Sequence, residues 1–169
     1  MKLLTLIRHA KAVEATGSED DHERALRGRG RRAAADLGRQ LAATPPDLIL
    51  CSTASRTRQT VACATADWPH LPPIRYEGEL YLASALQLLR QIERIEPEFA
   101  SVWLVGHNPG VHDLARMLAG HAAGVGRFPE LAQRFPTSAR AVFAIDADAW
   151  RDLVHARLEL RDFVLTSAE

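Results

Sequence analysis

The chain has 169 residues, 47% of them apolar and 25% charged, a balance that suits one globular domain over 1–169 with a sizeable buried core. Its 21 lysines and arginines equal its 21 aspartates and glutamates, so no net field draws it to nucleic acid or an anionic membrane, and any anion preference must come from a local arginine cluster. The opening apolar run of about five residues falls short of a signal-peptide core, and nothing approaches the ~18 apolar residues of a membrane span, so a cytoplasmic protein is expected.

Leu3 to Lys11 reads as a buried strand that ends in Arg8 and His9. The polar segment Val13 to Glu23 follows as a surface loop, and the basic run Arg24 to Arg32 as a solvated helix start. From Gly30, the residues Ala33, Leu37 and Leu41 share one helical stripe with Ala34 and Gly38 beside it, a small-residue packing face that Pro45-Pro46 ends. Leu48 to Cys51 is a short buried strand, and Ser52 or Ser55 is expected to cap a helix whose inner face is Thr57, Thr60, Val61 and Ala64. Cys51 and Cys63 lack metal or redox spacing and read as small buried hydrophobes.

Ile74 to Tyr76 is a further short strand, followed by the loop Glu77 to Ala83. Ser84 and Gln87 form a capping box for a helix carrying Leu88, Leu89, Ile92 and Ile95 until Pro97. Val102 to Val105 is the fourth strand, and after Gly106-His107-Asn108-Pro109 a helix presents Val111, Leu114, Ala115 and Leu118, with Gly120 as its cap. Ala122 to Pro136 reads as a long loop with one short helical turn. Ala141 to Ile145 resumes strand character, and the alternation of Ala156, Leu158 and Leu160 fits an antiparallel strand at the edge of the sheet. Strands alternating with crossover helices imply an α/β fold, a three-layer α/β/α sandwich with a mostly parallel sheet.

Such sheets bind ligands beyond the carboxyl ends of their strands, and here those ends carry Arg8-His9, Arg56 and His107. Two guanidiniums supply fixed charge and paired donors suited to a phosphoryl dianion. A histidine beside bound phosphate attacks phosphorus through a neutral ring nitrogen or balances charge when protonated, and an ordinary pKa near ~6.5 gives access to both states. Metal binding fits less well. His107 and His112 are not at the i, i+4 spacing of a helical pair, and Asp20-Asp21-His22 lies in one loop. His70, His121 and His155 stand alone as surface residues, and Trp68, Trp103 and Trp150 read as core or rim.

With these residues assembled, the sequence resembles the histidine phosphatase superfamily, the phosphoglycerate mutase-like or branch 1 group. Arg8-His9-Ala10 is similar to its Arg-His-Gly signature, Ser52 to Thr60 to its Ser-x-x-x-Arg-x-x-x-Thr segment, and Gly106-His107-Asn108 to its second-histidine motif. The short SixA-type phosphohistidine phosphatases are resembled further in Asp21-His22-Glu23-Arg24-Ala25-Leu26 and Phe135-Pro136-Thr137-Ser138-Ala139. The resemblance implies a metal-independent hydrolase without cofactor. His9 would be the nucleophile, Arg8 and Arg56 the phosphoryl clamp and His107 a donor from the other side. Arg24, Ser52, Asn108 and Thr137 would be substrate-binding residues. Partners would be a phosphorylated histidine phosphotransfer domain in signal transduction, or a small phosphorylated metabolite.

Two departures from the pattern bear on substrate. Alanine replaces glycine after His9, and Leu82 stands where the mutases and broad phosphomonoesterases carry a glutamate general acid. A missing acid favours a phosphoramidate, whose departing nitrogen is a much weaker base than an alkoxide. The alternatives are a small-molecule phosphomonoesterase using Glu77 or Glu79 as acid, and a catalytically idle phosphoprotein-binding module.

Overall fold

The apolar run Lys2–Arg8 forms β1, and in the computed structural model, which describes residues 1–166, it lies at the middle of a seven-stranded sheet. The other strands are β2 (Leu48–Ser52), β3 (Ile74–Glu77), β4 (Ser101–Gly106), β5 (Ala122–Ala123), β6 (Arg140–Asp146) and β7 (Arg157–Val164). Their order across the sheet is β3-β2-β4-β1-β6-β7-β5. Strands β1 to β4 run parallel, as crossover helices require.

The antiparallel member is placed differently from expectation. The alternating strand β7 pairs antiparallel with β6, but β6 is itself antiparallel to β1, so β7 runs in the direction of β1 and β6 is the reversed strand. Nor is β7 the edge, because two residues from the segment read as a loop, Ala122 and Ala123, add parallel to it as β5. The same segment holds two single 3-10 turns, Val125–Arg127 and Pro129–Ala132, rather than one.

Four helices cover the sheet, two to a face: α1 (Gly28–Leu41) with α2 (Ser55–Thr65), and α3 (Ala85–Glu93) with α4 (Gly110–Ala119). Period-two alternation in the strands divides the core between them. Leu4, Leu6, Leu48, Leu50 and Leu104 pack under Leu88, Ile92, Val111 and Leu114, whereas Ile7, Ile49, Trp103 and Val105 pack under Leu37, Val61 and Ala64. The capping box of Ser84 and Gln87 forms as expected. At α2 neither serine is the cap: Ala54 holds that position without a side-chain bond, and Ser52 is drawn into the sheet end instead.

The small-residue face of α1 has a steric cause at two glycines. A Cβ on Gly38 would stand 1.7 Å from the Ala64 carbonyl oxygen, so only glycine lets α1 and α2 approach this closely. A Cβ on Gly30 would stand 2.1 Å from the carbonyl oxygen of Lys11, just past His9. The polar loop after β1 is closed at its base by an Ala12–Leu26 bridge and by bonds from Val13 N to Ala25 O and Arg27 N to Lys11 O, both 2.9 Å. Among the described residues no helix is long and apolar enough to cross a membrane.

Candidate active site

The sheet order makes β2, β4 and β1 consecutive neighbours, so the three strand ends that carry the charged and imidazole side chains meet. Arg8 pairs in register with Gly106, and the amide of His9 donates to the Gly106 carbonyl at 3.1 Å. The imidazoles of His9 and His107 lie with ring centroids 5.3 Å apart, and Arg56, on the first turn of α2, is 3% exposed beside them. The positive end of the α2 dipole adds to this crevice.

His9 is 8% exposed, and its Nδ1 donates to the Ala10 carbonyl at 2.7 Å. A carbonyl only accepts, so this contact puts the proton on Nδ1 and leaves Nε2 with a free lone pair. Burial, partly offset by the bond to Ala10, then the nearby Arg56, Arg8 and Arg24, lowers the His9 pKa to about 4. Burial, then His9 and Arg56, lowers that of His107 to about 3. Both rings are neutral at pH 7. His107 Nε2 meets the Ser52 hydroxyl at 2.8 Å, so a neutral ring that accepts from Ser52 holds its proton on Nδ1.

Alanine after His9 costs nothing here, because Ala10 is not among the residues of positive φ. Its amide donates to Thr60 Oγ1 at 2.9 Å, and Thr60 donates in turn to the Arg56 carbonyl at 2.7 Å. One α2 hydroxyl thereby ties the residue after His9 to the backbone of Arg56.

The guanidiniums are held from behind. Arg8 donates through NH1 to the Phe135 carbonyl at 3.2 Å, and Asn108 reaches the same oxygen at 2.8 Å. Arg56 donates through NH1 to the Asp21 carbonyl at 2.7 Å and through NH2 to the Asp21 carboxylate at 3.0 Å. Among the described residues, Arg8 Nε and Arg56 Nε are buried donors with no hydrogen-bond partner, and so is His107 Nδ1 when its Nε2 accepts from Ser52. Buried polar atoms without partners are rare in native structures, and a group of donors beside His9 is suited to an anion.

The rim contains two residues that sequence reasoning passed over. Asp21 accepts from Arg24 Nε at 2.9 Å, from Arg56 and from the Tyr81 hydroxyl, and these donors, Tyr81 first, hold its carboxyl far below the usual range. Tyr81 makes T-shaped ring contacts with His107 and His22, at centroid distances of 5.4 Å and 4.9 Å. Asp21 lay inside a motif already singled out, and Tyr81 immediately precedes Leu82, but nothing in their spacing links residues 60 apart.

The remaining expected residues divide. Ser52 meets His107 and Asn108 braces the Phe135 carbonyl, both at the crevice. Arg24 is turned to Asp21 and to the Val13 carbonyl, 2.7 Å from its NH1. Thr137 lines a cleft between α1 and the end of β7. Glu79 faces away, bonded to Gln91 and 3.8 Å from Arg94, while Leu82 is 55% exposed at φ 50°. No group of three or more His, Cys, Asp or Glu side chains with metal-binding geometry occurs among the described residues.

A family model described as histidine phosphatase superfamily (branch 1) matches residues 4–81. An uncharacterised protein of Mycobacterium tuberculosis is 37% identical over 150 residues, 87% of this chain and 91% of its own length. The chain belongs to the histidine phosphatase superfamily. Among solved structures, a candidate phosphohistidine phosphatase SixA from Nakamurella multipartitia is 30% identical at a TM-score of 0.85, covering 99% of this chain and 97% of its own. The histidine phosphatase fold is shared more distantly with a candidate α-ribazole-5'-P phosphatase from Escherichia coli, 19% identical at a TM-score of 0.70, over 95% of this chain and 96% of that one.

Proposed function

We propose that the protein is a cytoplasmic phosphohistidine phosphatase that removes the phosphoryl group from a histidine of a phosphotransfer domain. The observation that carries the reading is the cradle of Arg8 Nε, Arg56 Nε and His107 Nδ1 beside a neutral His9 whose Nε2 is the free nitrogen. The phosphoryl oxygens sit against these donors while His9 Nε2 attacks phosphorus in line, and the bond from phosphorus to the substrate nitrogen breaks, its electron pair returning to a substrate ring that already carries a proton on its other nitrogen and so departs as neutral imidazole. His9 keeps its Nδ1 proton on the Ala10 carbonyl throughout, so no base is needed to activate it. Water then attacks phosphorus, the bond to Nε2 breaks, and phosphate leaves as His9 returns to its neutral form. The arginines balance the oxygen charge, so the reaction needs no metal ion.

The substrate class rests on the acid. By resemblance Leu82 occupies the place of the family's glutamate, Glu79 is tied to Gln91, and Asp21 is held firmly ionised, which leaves Glu77, at the end of β3 in register with Ser52, as the carboxyl the rival reading would use. An alkoxide leaving group depends on such an acid for about 10²–10⁴-fold in rate, whereas an imidazole nitrogen departs without it. The resemblance to a candidate SixA at 30% identity supports the same substrate.

The test compares turnover of a phosphorylated phosphotransfer protein with p-nitrophenyl phosphate and sugar phosphates, alongside trapping of an acid-labile adduct. Dephosphorylation of the protein far above sugar-phosphate turnover, with the adduct lost in His9→Ala, is the expected result. Strong sugar-phosphate turnover abolished by Glu77→Gln or Glu79→Gln would replace this reading with a small-molecule phosphomonoesterase. Phosphate affinity without any turnover would leave a binding module.

A further inference from the structure

Among the described residues, buried polar side-chain atoms without partners fall into two groups. Arg8 Nε, Arg56 Nε and His107 Nδ1, with Asn108 Oδ1, belong to the catalytic crevice. Ser138 Oγ and Arg140 Nε do not; both residues line a separate cleft of about 780 Å³ between α1 and the ends of β6 and β7. Burying a polar atom unpaired is unfavourable, and two such atoms belong to residues lining this one cleft.

The two residues are rigidly held. Arg140 has its side chain 9% exposed, with NH1 donating to Gln40 Oε1 at 2.8 Å and NH2 3.8 Å from the Asp162 carboxylate. These contacts fix the guanidinium and leave Nε uncommitted. Ser138 is 4% exposed in a left-handed conformation at φ 62°, and its amide is shared between the Arg8 and His9 carbonyls at 3.1 Å each. A non-glycine residue held at positive φ stores strain that the surroundings must impose.

Among the described residues that line the cleft, Lys11, Arg32 and Arg140 bring positive charge, Arg140 being 3.8 Å from the Asp162 carboxylate, and the acid Asp36 is paired with Arg39. Part of the wall is apolar, from Ala33, Leu37 and Val164. A volume of this order suits a small organic molecule rather than a lone ion. Several cations and a hydroxyl exceed what the two oxygens of one carboxylate use, and match the three terminal oxygens of a phosphoryl dianion.

We propose that this cleft is a second anion site, distinct from the catalytic crevice, which takes a phosphate monoester with an apolar body. Arg140 and Ser138 bind the head at the base, Lys11 and Arg32 close on it from the sides, and Ala33, Leu37 and Val164 receive the body. The Phe135 to Ala139 segment thus serves both sites: the Phe135 carbonyl braces Arg8 on one side, and Ser138 faces the cleft on the other.

The test uses phenylphosphonate, whose carbon–phosphorus bond resists the enzyme, titrated calorimetrically into the full chain. The unmodified protein is expected to bind two equivalents, and Arg56→Ala to keep the cleft event within about twofold while losing the crevice event. Arg32→Glu, on the exposed face of α1, and Arg140→Gln are expected to weaken the cleft event by about tenfold or more and leave the crevice event in place. Should Arg140→Gln fail to fold, Arg32→Glu carries the test alone. Inorganic phosphate, lacking the apolar body, is expected to bind the cleft more weakly. A titration in which no binding event weakens on Arg32→Glu overturns the proposal, and so does inorganic phosphate binding the cleft as tightly as phenylphosphonate.

Discussion

Arg56 and Arg24 both donate to the Asp21 carboxylate, yet they use their guanidiniums differently. Arg56 is buried, anchored through its two terminal nitrogens, and keeps Nε uncommitted. Arg24, at the rim, gives Nε and NH2 to Asp21 and NH1 to the Val13 carbonyl. Arg8 follows Arg56 in keeping a buried, unpartnered Nε. Under the proposed function, what separates Arg56 and Arg8 from Arg24 is therefore the donor left over after the protein has used its own, rather than distance from His9.

The largest expected effect bounds this comparison. His9→Ala removes the nitrogen proposed to attack and is expected to lower turnover by roughly 10⁴-fold or more and abolish the trapped adduct, as read by phosphate release and acid-labile label. Next, Arg56→Ala and Arg8→Ala are each expected to cost about 10²–10³-fold in kcat/KM, the range for removing one donor to developing charge. Arg24→Ala is expected to cost less than about tenfold, acting through Asp21, the Val13 carbonyl and a weak field at His9. Equal losses at Arg24 and Arg56 in the same assay would break the distinction.

The floor and the rim of the crevice also titrate in different windows. His9 and His107 have native pKa values of about 4 and about 3, below the 6.5 of the unfolded chain. Between those limits the unfolded chain binds more protons than the native one, so stability falls as pH drops from about 6.5 towards 4 and is unaffected by these groups above that window. Asp21 is shifted below its ordinary 3.8, so its contribution is fully present above that pH and is lost only in stronger acid. Thermal unfolding followed against pH is expected to show a decline starting near 6.5 that His107→Gln makes shallower. A flat profile down to pH 4 would contradict the neutral pair. The smallest effect is at Glu79→Gln, which is expected to leave turnover of a phosphohistidine protein within about twofold, since this side chain faces Gln91 and Arg94.

Much of this was legible in the sequence because it is local. Apolar runs ending in Arg8-His9 and in Gly106-His107 declare buried strands with exposed ends, the Ser84 and Gln87 spacing declares a cap, and the alanine and glycine face of α1 declares close packing. Direction and pairing were not local. The reversal of β6 depends on which strand lies beside β1, and the alternation in β7 reports its faces without reporting its neighbours. The knot of Asp21, Arg56 and Tyr81 is likewise a meeting of distant segments, and a polar residue in a loop carries no periodicity that would point to its partner. Thr137 was placed at the phosphoryl site by resemblance, whereas its neighbour Ser138 turns that segment towards the cleft behind it.

The loop after β1 holds a practical consequence. Its two ends are stapled to each other by the Ala12–Leu26 bridge and the bonds of Val13 and Arg27, and Gly30 presses against Lys11 behind them. Length added between Glu14 and Glu19 is absorbed outside that staple, at an entropic cost that grows only with the logarithm of the loop. A peptide tag or dye grafted there would sit beside the crevice while His9 stays where the sheet puts it, which makes this loop a natural handle for testing whether the proposed partner protein docks.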